Sequence, residues 1–321
     1  MRMQKSRLAA LTSLSLASAL ALSACGDNGD DNGDAGENGN EEGITLELGE
    51  FNWLASEFQA AVVTQIAEEY PELGVDEVSS TQFDPAVGWT GLGEGDVDLL
   101  VDAIMPNHEG FAEDYEETTE MVSETYGGAA QGWFIPEYAA EGELEGLESV
   151  DQLSESEYAD LVDNTLYDAE AGWVTTEHNA ERLEGFDLDL EHLTSSEAAL
   201  IAEVESAYSD EEPILFFFYQ PHWLFSQLDL VQLEEPNEYH EDCFDGGQQD
   251  CASPELSGWA AINTELRDEA PEFVEMLEQF EIPLEDIENA MLQDEDEDAD
   301  VEDLAAQWVE ENTETIESWI S

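Results

Sequence analysis

Beyond residue 24 only Arg182 and Arg267 carry a permanent positive side chain, against 82 Asp and Glu in a chain whose formal charge is −77. The acids are spread along the whole sequence instead of gathering in one segment. Such a chain has to fold with its carboxylates in water. Salt must screen their mutual repulsion, which fits a solvated acidic surface in high external salt. Phosphate binding needs a basic surface, so nucleic acid is excluded as a partner.

The other three cations, Arg2, Lys5 and Arg7, precede an apolar run from Leu8 to Leu22. A run this short reads as a secretion signal over residues 1–24 more readily than as a spanning helix. Its end, Leu22-Ser23-Ala24-Cys25, resembles the lipobox of bacterial lipoproteins. That resemblance implies cleavage before Cys25 and acylation of its thiol, with the lipid as the only attachment to the membrane. Residues 25–43 are mostly Gly, Asn, Asp and Glu and read as a flexible, self-repelling tether. Their spacing is similar to a calcium loop, but Gly39 stands where a loop opening at Asn28 needs a bidentate glutamate. Residues 44–321 remain, enough for two lobes. Within them, 243-CFDGGQQDC-251 can turn at its glycines, and an exported chain meets oxidising conditions, so a Cys243–Cys251 disulfide is expected. His240 keeps a zinc reading conceivable, although a fourth ligand is not apparent.

Strand and helix patterns alternate from residue 44. Ile44–Phe51, 75–78, 97–105, 126–135, 214–218 and 257–263 read as strands. Helical spacing covers 56–70 with Ser56 as its cap, 85–92, 149–162, 177–184, 195–207, 268–280, 283–292 and 301–319. This order predicts an α/β fold with parallel-type sheets covered on both faces. There is no Gly-rich phosphate loop, His-Glu-x-x-His pair or Gly-x-Ser-x-Gly elbow, so no cofactor, metal or catalytic residue is expected. Carboxylate pairs are too frequent here to be diagnostic.

The stretch 214-ILFFFYQPHWLF-225 concentrates aromatic surface and then breaks at a proline. Its first half, with Phe216, Phe217 and Phe218, reads as core. Tyr219 and Trp223 stand where open α/β sheets bind ligands, beyond a strand's carboxyl end. Trp53 follows the first strand, Trp89 lies in a short helix, and Trp173 lies in 168-DAEAGWVTT-176. Rings that converge there make an aromatic box whose faces attract a quaternary ammonium by about 0.5–2 kcal/mol each. Trp259, Trp308 and Trp319 sit on strand or helix patterns and read as core.

Four segments carry a resemblance to the substrate-binding proteins of glycine betaine/proline-betaine ABC importers. They are 88-GWTGLGEGDVDLLVDAIMPNH-108, 127-GGAAQGWFIP-136, 195-SSEAALIAEVESAYSDEEPILFFFYQPHWLF-225 and 305-AAQWVEENTETIESWI-320. The resemblance implies a two-lobed, type II periplasmic-binding-protein-like α/β fold with the ligand cleft between lobes. Lobe 1 would comprise 44–136 plus 232–321, and lobe 2 137–231. It also implies a trimethylammonium held in an aromatic box. Tyr219 stands where a box tryptophan usually precedes Gln-Pro-His-Trp, and Trp173 matches the tryptophan of a Pro-Gly-Trp motif. A third tryptophan, in Asp-Ala-Trp-x-Pro, is here Ile104, so Trp53 or Trp89 must complete the box, or the cognate ligand is not glycine betaine. With so few cations, the ligand's carboxylate would rest on backbone N–H groups at Val174 and Thr175, with His222 as a charged helper. The implied function is extracytoplasmic capture of a small zwitterionic or cationic solute, glycine betaine first, for an ABC permease and its ATPase. Carnitine, choline, proline betaine or an ectoine-like solute, a ligand-gated sensor, and a hydrolase using paired carboxylates are the alternatives.

Overall fold

Ten strands are ordered along the chain as β1 (Ile44–Phe51), β2 (Val75–Phe83), β3 (Leu99–Leu100), β4 (Thr119–Ala129), β5 (Gln131–Pro136), β6 (Thr165–Asp168), β7 (Glu191–Thr194), β8 (Phe216–Tyr219), β9 (Leu230–Gln232) and β10 (Leu256–Asn263). The computed structural model describes residues 43–240, 243, 244, 247, 249–297 and 299–321. The leader, Cys25 and the tether through Glu42 lie outside the described residues.

The strands form two five-stranded sheets, ordered β2-β1-β3-β10-β4 and β7-β6-β8-β5-β9. Both are mixed, where the alternation of strands and helices predicts parallel sheets. β1 is parallel to β2 and β3, but β10 runs against β3 and β4. β6 is parallel to β7 and β8, but β5 runs against β8 and β9. The antiparallel pairs all involve strands next to the points where the chain passes from one sheet to the other.

Residues 126–135, expected as one strand, are divided between β4 and β5. Gly128, with a left-handed φ of 71°, lies inside β4 where the register against β10 shifts, and the break between the two strands falls at Ala130. β5 bonds to β8 on one side and β9 on the other, so it belongs to the second sheet. The chain thus passes from the first sheet to the second at Ala130 and returns after Gln232. Gln220 brackets the first crossing. Its N–H donates to Ala130 O at 2.8 Å, its Oε1 accepts from Ala130 N–H at 3.0 Å, and its Nε2 donates to Glu288 Oε1 at 2.8 Å.

Ser56 does not cap the first helix, which runs Leu54–Glu69 with Trp53 at its N-cap and no side-chain cap bond. Ser56 is buried instead. Its Oγ accepts from Phe51 N–H at 2.9 Å and donates to Val101 O at 3.3 Å, fixing the turn out of β1. The expected 97–105 strand shrinks to Leu99–Leu100 because the chain leaves the sheet at Asp102, where φ is 61°. Pro271 starts a new helix within the expected 268–280 segment, and Asn312 separates the last two helices, Val301–Glu311 and Thr313–Ile320. Phe216, Phe217 and Phe218 are buried in the core of the second sheet. Cys243 and Cys251 are bridged. Both arginines among the described residues are engaged within the chain. Arg267 pairs with Glu120 and Glu278 at 2.7 and 2.8 Å. Arg182, buried, donates from Nε to Cys251 O and from an Nη to Asn179 Oδ1, each at 3.0 Å.

Candidate ligand-binding site

The turn out of β1 and the end of β8 face each other across a cavity of about 670 Å³. The first lobe contributes Trp53, Asp102 and Ile104 to its wall; the second contributes Trp173, Glu197 and the 217–223 segment except Phe218. Each functional side chain stands where a strand or loop hands over to a helix, which leaves it free to project beyond the sheet.

On the first-lobe side, Trp53 stacks on Phe51 with ring centroids 4.7 Å apart and planes at 16°. Its Nε1–H donates to Asp102 Oδ2 at 2.5 Å. Asp102 Oδ1 accepts from Tyr126 OH at 2.7 Å. Burial pushes the Asp102 carboxyl up from the usual range, while the hydrogen bonds from Trp53, Tyr126 and Gln59 act the other way. Gly258 makes room for this arrangement: a Cβ there would fall 2.2 Å from the Tyr126 ring and 2.8 Å from Asp102 Oδ1. Ile104 adds an aliphatic surface beside them.

On the second-lobe side, Tyr219 and Trp173 meet edge to face, with centroids 6.0 Å apart and planes at 66°. They are two adjacent walls of a corner. Tyr219 OH donates to Glu197 Oε2 at 3.1 Å. Glu197 Oε1 lies 3.3 Å from His222 Nε2. The other ring nitrogen, Nδ1, accepts from Leu224 N–H at 3.1 Å. An accepting Nδ1 carries no proton, so Nε2 holds the hydrogen and donates it to Glu197. Hydrogen bonding from His222, with help from Tyr219, holds the Glu197 carboxyl below its ordinary range in spite of burial. Burial, reinforced by Glu197, pushes the Tyr219 hydroxyl well above its ordinary value. Trp223 packs against His222 with centroids 5.2 Å apart.

The cavity brings together Trp53, Trp173, Thr175, Tyr219, His222 and Trp223. It does not include Trp89. That ring is fully buried in a first-lobe cluster with Phe51, Leu92, Val97 and Leu100, and its Nε1–H donates to His108 Nδ1 at 3.4 Å. Val174 is not among the residues lining the cavity: it is 65% exposed and borders a cleft with His178 and Arg182, while its backbone N–H opens the Val174–Gly185 helix beside Trp173. Both ring nitrogens of His222 are engaged within the second lobe, Nε2 by Glu197 and Nδ1 by the Leu224 N–H. Phe217, expected only as core, is buried yet contributes to the cavity wall. Asp102 and Glu197 gave no signal in the sequence, since acids are everywhere; only their places in 102-DAIMP-106 and 195-SSEAA-199 set them apart. The wall holds four acidic residues, Asp102, Glu170, Glu197 and Glu295, and no Lys or Arg. Among the described residues there is no group of three or more His, Cys, Asp or Glu that could hold a metal ion. No described helix is long and apolar enough to cross a membrane.

Residues 44–311 match the family described as the substrate binding domain of ABC-type glycine betaine transport system. The chain belongs to that family. Over 156 residues it is 28% identical to the glycine betaine/carnitine transport binding protein GbuC of Listeria monocytogenes, a match spanning 48% of each chain, about half the length of that relative. It is 21% identical over 302 residues to the glycine betaine/proline betaine-binding periplasmic protein of Escherichia coli, covering 87% of this chain and 90% of that one. The fold is similar to the crystal structure of lactococcal OpuAC in its closed-liganded conformation complexed with glycine betaine. The TM-score is 0.66 at 23% identity, over 86% of this chain and 99% of that one. The two mixed sheets with flanking helices are thus the two-lobed, type II architecture that the sequence resemblance implies. The family is one of solute-binding proteins.

Proposed function

We propose that this protein captures a quaternary-ammonium compatible solute outside the cytoplasm and delivers it to an ABC permease, without transforming it. The observation that carries this reading is the aromatic corner of Trp173 and Tyr219, faced across the cavity by Trp53. Trp53 takes the place of the wall that Ile104 cannot supply. Three π faces at about 1–2 kcal/mol each supply several kcal/mol, against about 8 kcal/mol for micromolar affinity. Apolar contact with Ile104, Phe217 and Trp223 contributes to the rest. The domain boundaries follow the sheets: 43–130 with the segment after Gln232 as lobe 1, and 131–232 as lobe 2. Cys25, acylated, tethers the assembly to the membrane and keeps it near the permease and its ATPase.

Calorimetric titration of the detergent-solubilised protein in high salt tests the reading. Glycine betaine, proline betaine, carnitine and choline are compared with 3,3-dimethylbutanol, which has the shape of choline and no charge. At least one quaternary ammonium binds in the micromolar range and the neutral isostere does not. If every quaternary ammonium fails to bind, or the isostere binds equally well, the assignment is wrong. Mass spectrometry of the membrane fraction tests the anchor: a free, unacylated Cys25 thiol on the mature chain rules it out.

A further inference from the structure

We propose that Glu288, on a helix packed in the first lobe, is a positioning residue that holds the 219–223 turn of the second lobe in the geometry the ligand meets. The proposal rests on the ligand class inferred above and concerns how that same corner is kept in place.

Glu288 lies in the Leu284–Glu297 helix. That helix packs on the Leu54–Glu69 helix and on β4, both first-lobe elements, and on the short Leu224–Gln227 helix that follows the turn. Glu288 is 6% exposed. Its Oε1 accepts from Gln220 Nε2 at 2.8 Å, and the His222 main-chain N–H also favours its charged form. Both donors belong to the turn that carries Tyr219 at one end and Trp223 at the other, two walls of the cavity. Met291, one turn of helix beyond Glu288, lines the same cavity.

A buried carboxylate without a cation is costly. Burial pushes the Glu288 carboxyl up from its ordinary range, and Gln220 and the His222 N–H act the other way. Neither arginine among the described residues pairs with it. Arg182 meets Asn179, Cys251 and Glu235, and Arg267 meets Glu120 and Glu278. An apolar side chain of similar volume would fill the space without that cost. What it could not do is accept from the turn. Gln220 uses its amide oxygen on Ala130 N–H, so its Nε2 is the group left for the helix to grip. Glu288 thereby fixes the spacing between Met291 and the rings of Tyr219 and Trp223.

A plainer role would be to stabilise the fold as a whole. The two roles separate on where a substitution is felt. Glu288→Met is similar in length and cannot accept, whereas Glu288→Gln keeps an acceptor for Gln220. Gln220→Glu keeps the acceptor for Ala130 N–H and removes the donor to Glu288. The full-length, detergent-solubilised protein and these variants are titrated in high salt with glycine betaine, proline betaine, carnitine and choline. Amide hydrogen exchange of each, free of ligand, is followed by mass spectrometry. We expect Glu288→Met and Gln220→Glu to weaken the tightest-binding solute about fivefold or more, part of what a hydrogen bond to a charged group contributes. Glu288→Gln should stay within about twofold of the natural protein. Exchange should quicken in 219–224 in the two weakened variants and hold steady in β1 and β6. A smaller loss in Glu288→Met, or no difference between Glu288→Met and Glu288→Gln, overturns the proposal. So does exchange that quickens alike in the turn, β1 and β6, the signature of general loosening. Should Glu288→Met fail to fold, Gln220→Glu decides on the same two readouts. If none of the solutes binds the natural protein, the ligand reading fails, and the exchange pattern alone decides whether Glu288 holds the turn.

Discussion

Replacing Trp53 separates what its ring does for a ligand from what its N–H does for the fold. The indole face lines the cavity, while Nε1–H donates to the buried carboxylate of Asp102. Trp53→Phe keeps a π face but removes that donor. Hydrogen bonds to charged groups contribute about 1.5–3 kcal/mol, and a buried acceptor left short of a partner is costly, so the unfolding free energy should fall by that amount. Affinity should fall only about two- to fivefold, because Phe is a weaker cation–π partner than Trp. Trp53→Ala loses the same hydrogen bond and also the ring. The stacking on Phe51 costs a further 0.5–1.5 kcal/mol or so. A lost cation–π contact of about 1–2 kcal/mol weakens binding about five- to thirtyfold. The assay is urea unfolding and calorimetric titration of each variant in the same high-salt buffer. Trp89→Phe serves as the comparison: its ring is core, so stability drops while affinity holds. The reasoning is refuted if Trp53→Ala binds as tightly as Trp53→Phe, or if Trp53→Phe unfolds at the same urea concentration as the natural protein.

Burial lowers the pKa of His108 to about 4 from an ordinary 6.5, so the folded state favours the neutral ring. The stability this provides is present above pH 6.5 or so and is lost as pH falls towards 4. Relative to His108→Gln, the natural protein should lose about 2.5 kcal/mol between pH 7 and pH 4.5, and parallel urea curves at the two pH values would show otherwise. The bridge joins residues 8 apart in sequence; replacing both cysteines by serine should lower the unfolding free energy by about 2–3 kcal/mol through the unfolded chain. Unchanged thermal unfolding of that variant would argue that the closed loop adds nothing.

The alternation in Ile44–Phe51 and the apolar run at 214–218 were readable because a half-buried or buried strand imposes a short, unambiguous pattern. β6, β7 and β9, with four, four and three residues, were not read as strands. They are held by neighbours distant in sequence, and their composition is too acidic or too short to show a period. Trp53 and Trp89 could not be told apart, since both lie near element ends. What separates them is that the chain turns out of the sheet after Phe51, whereas Trp89 points inward from the Pro85–Glu94 helix. Asp102 and Glu197 were hidden by abundance: when acids are everywhere, the two that matter electrostatically are distinguished only by burial and by the donors around them. The orientation of the His222 ring depends on the Leu224 N–H, a backbone group that no residue pattern reveals.

Gln220, next to Tyr219, clasps the main chain at Ala130, where the first lobe gives way to the second. The Tyr219 wall is thereby tied, through the neighbouring residue, to the segment that joins the two sheets. Tyr219 is therefore held by the connection between the sheets as well as by its own strand, whereas Trp53 and Ile104 are held by the first sheet alone. A substitution at Gln220 would then disturb the site and the connection between the sheets together, although its side chain is bonded to the main chain and to Glu288 and not to a ring of the corner.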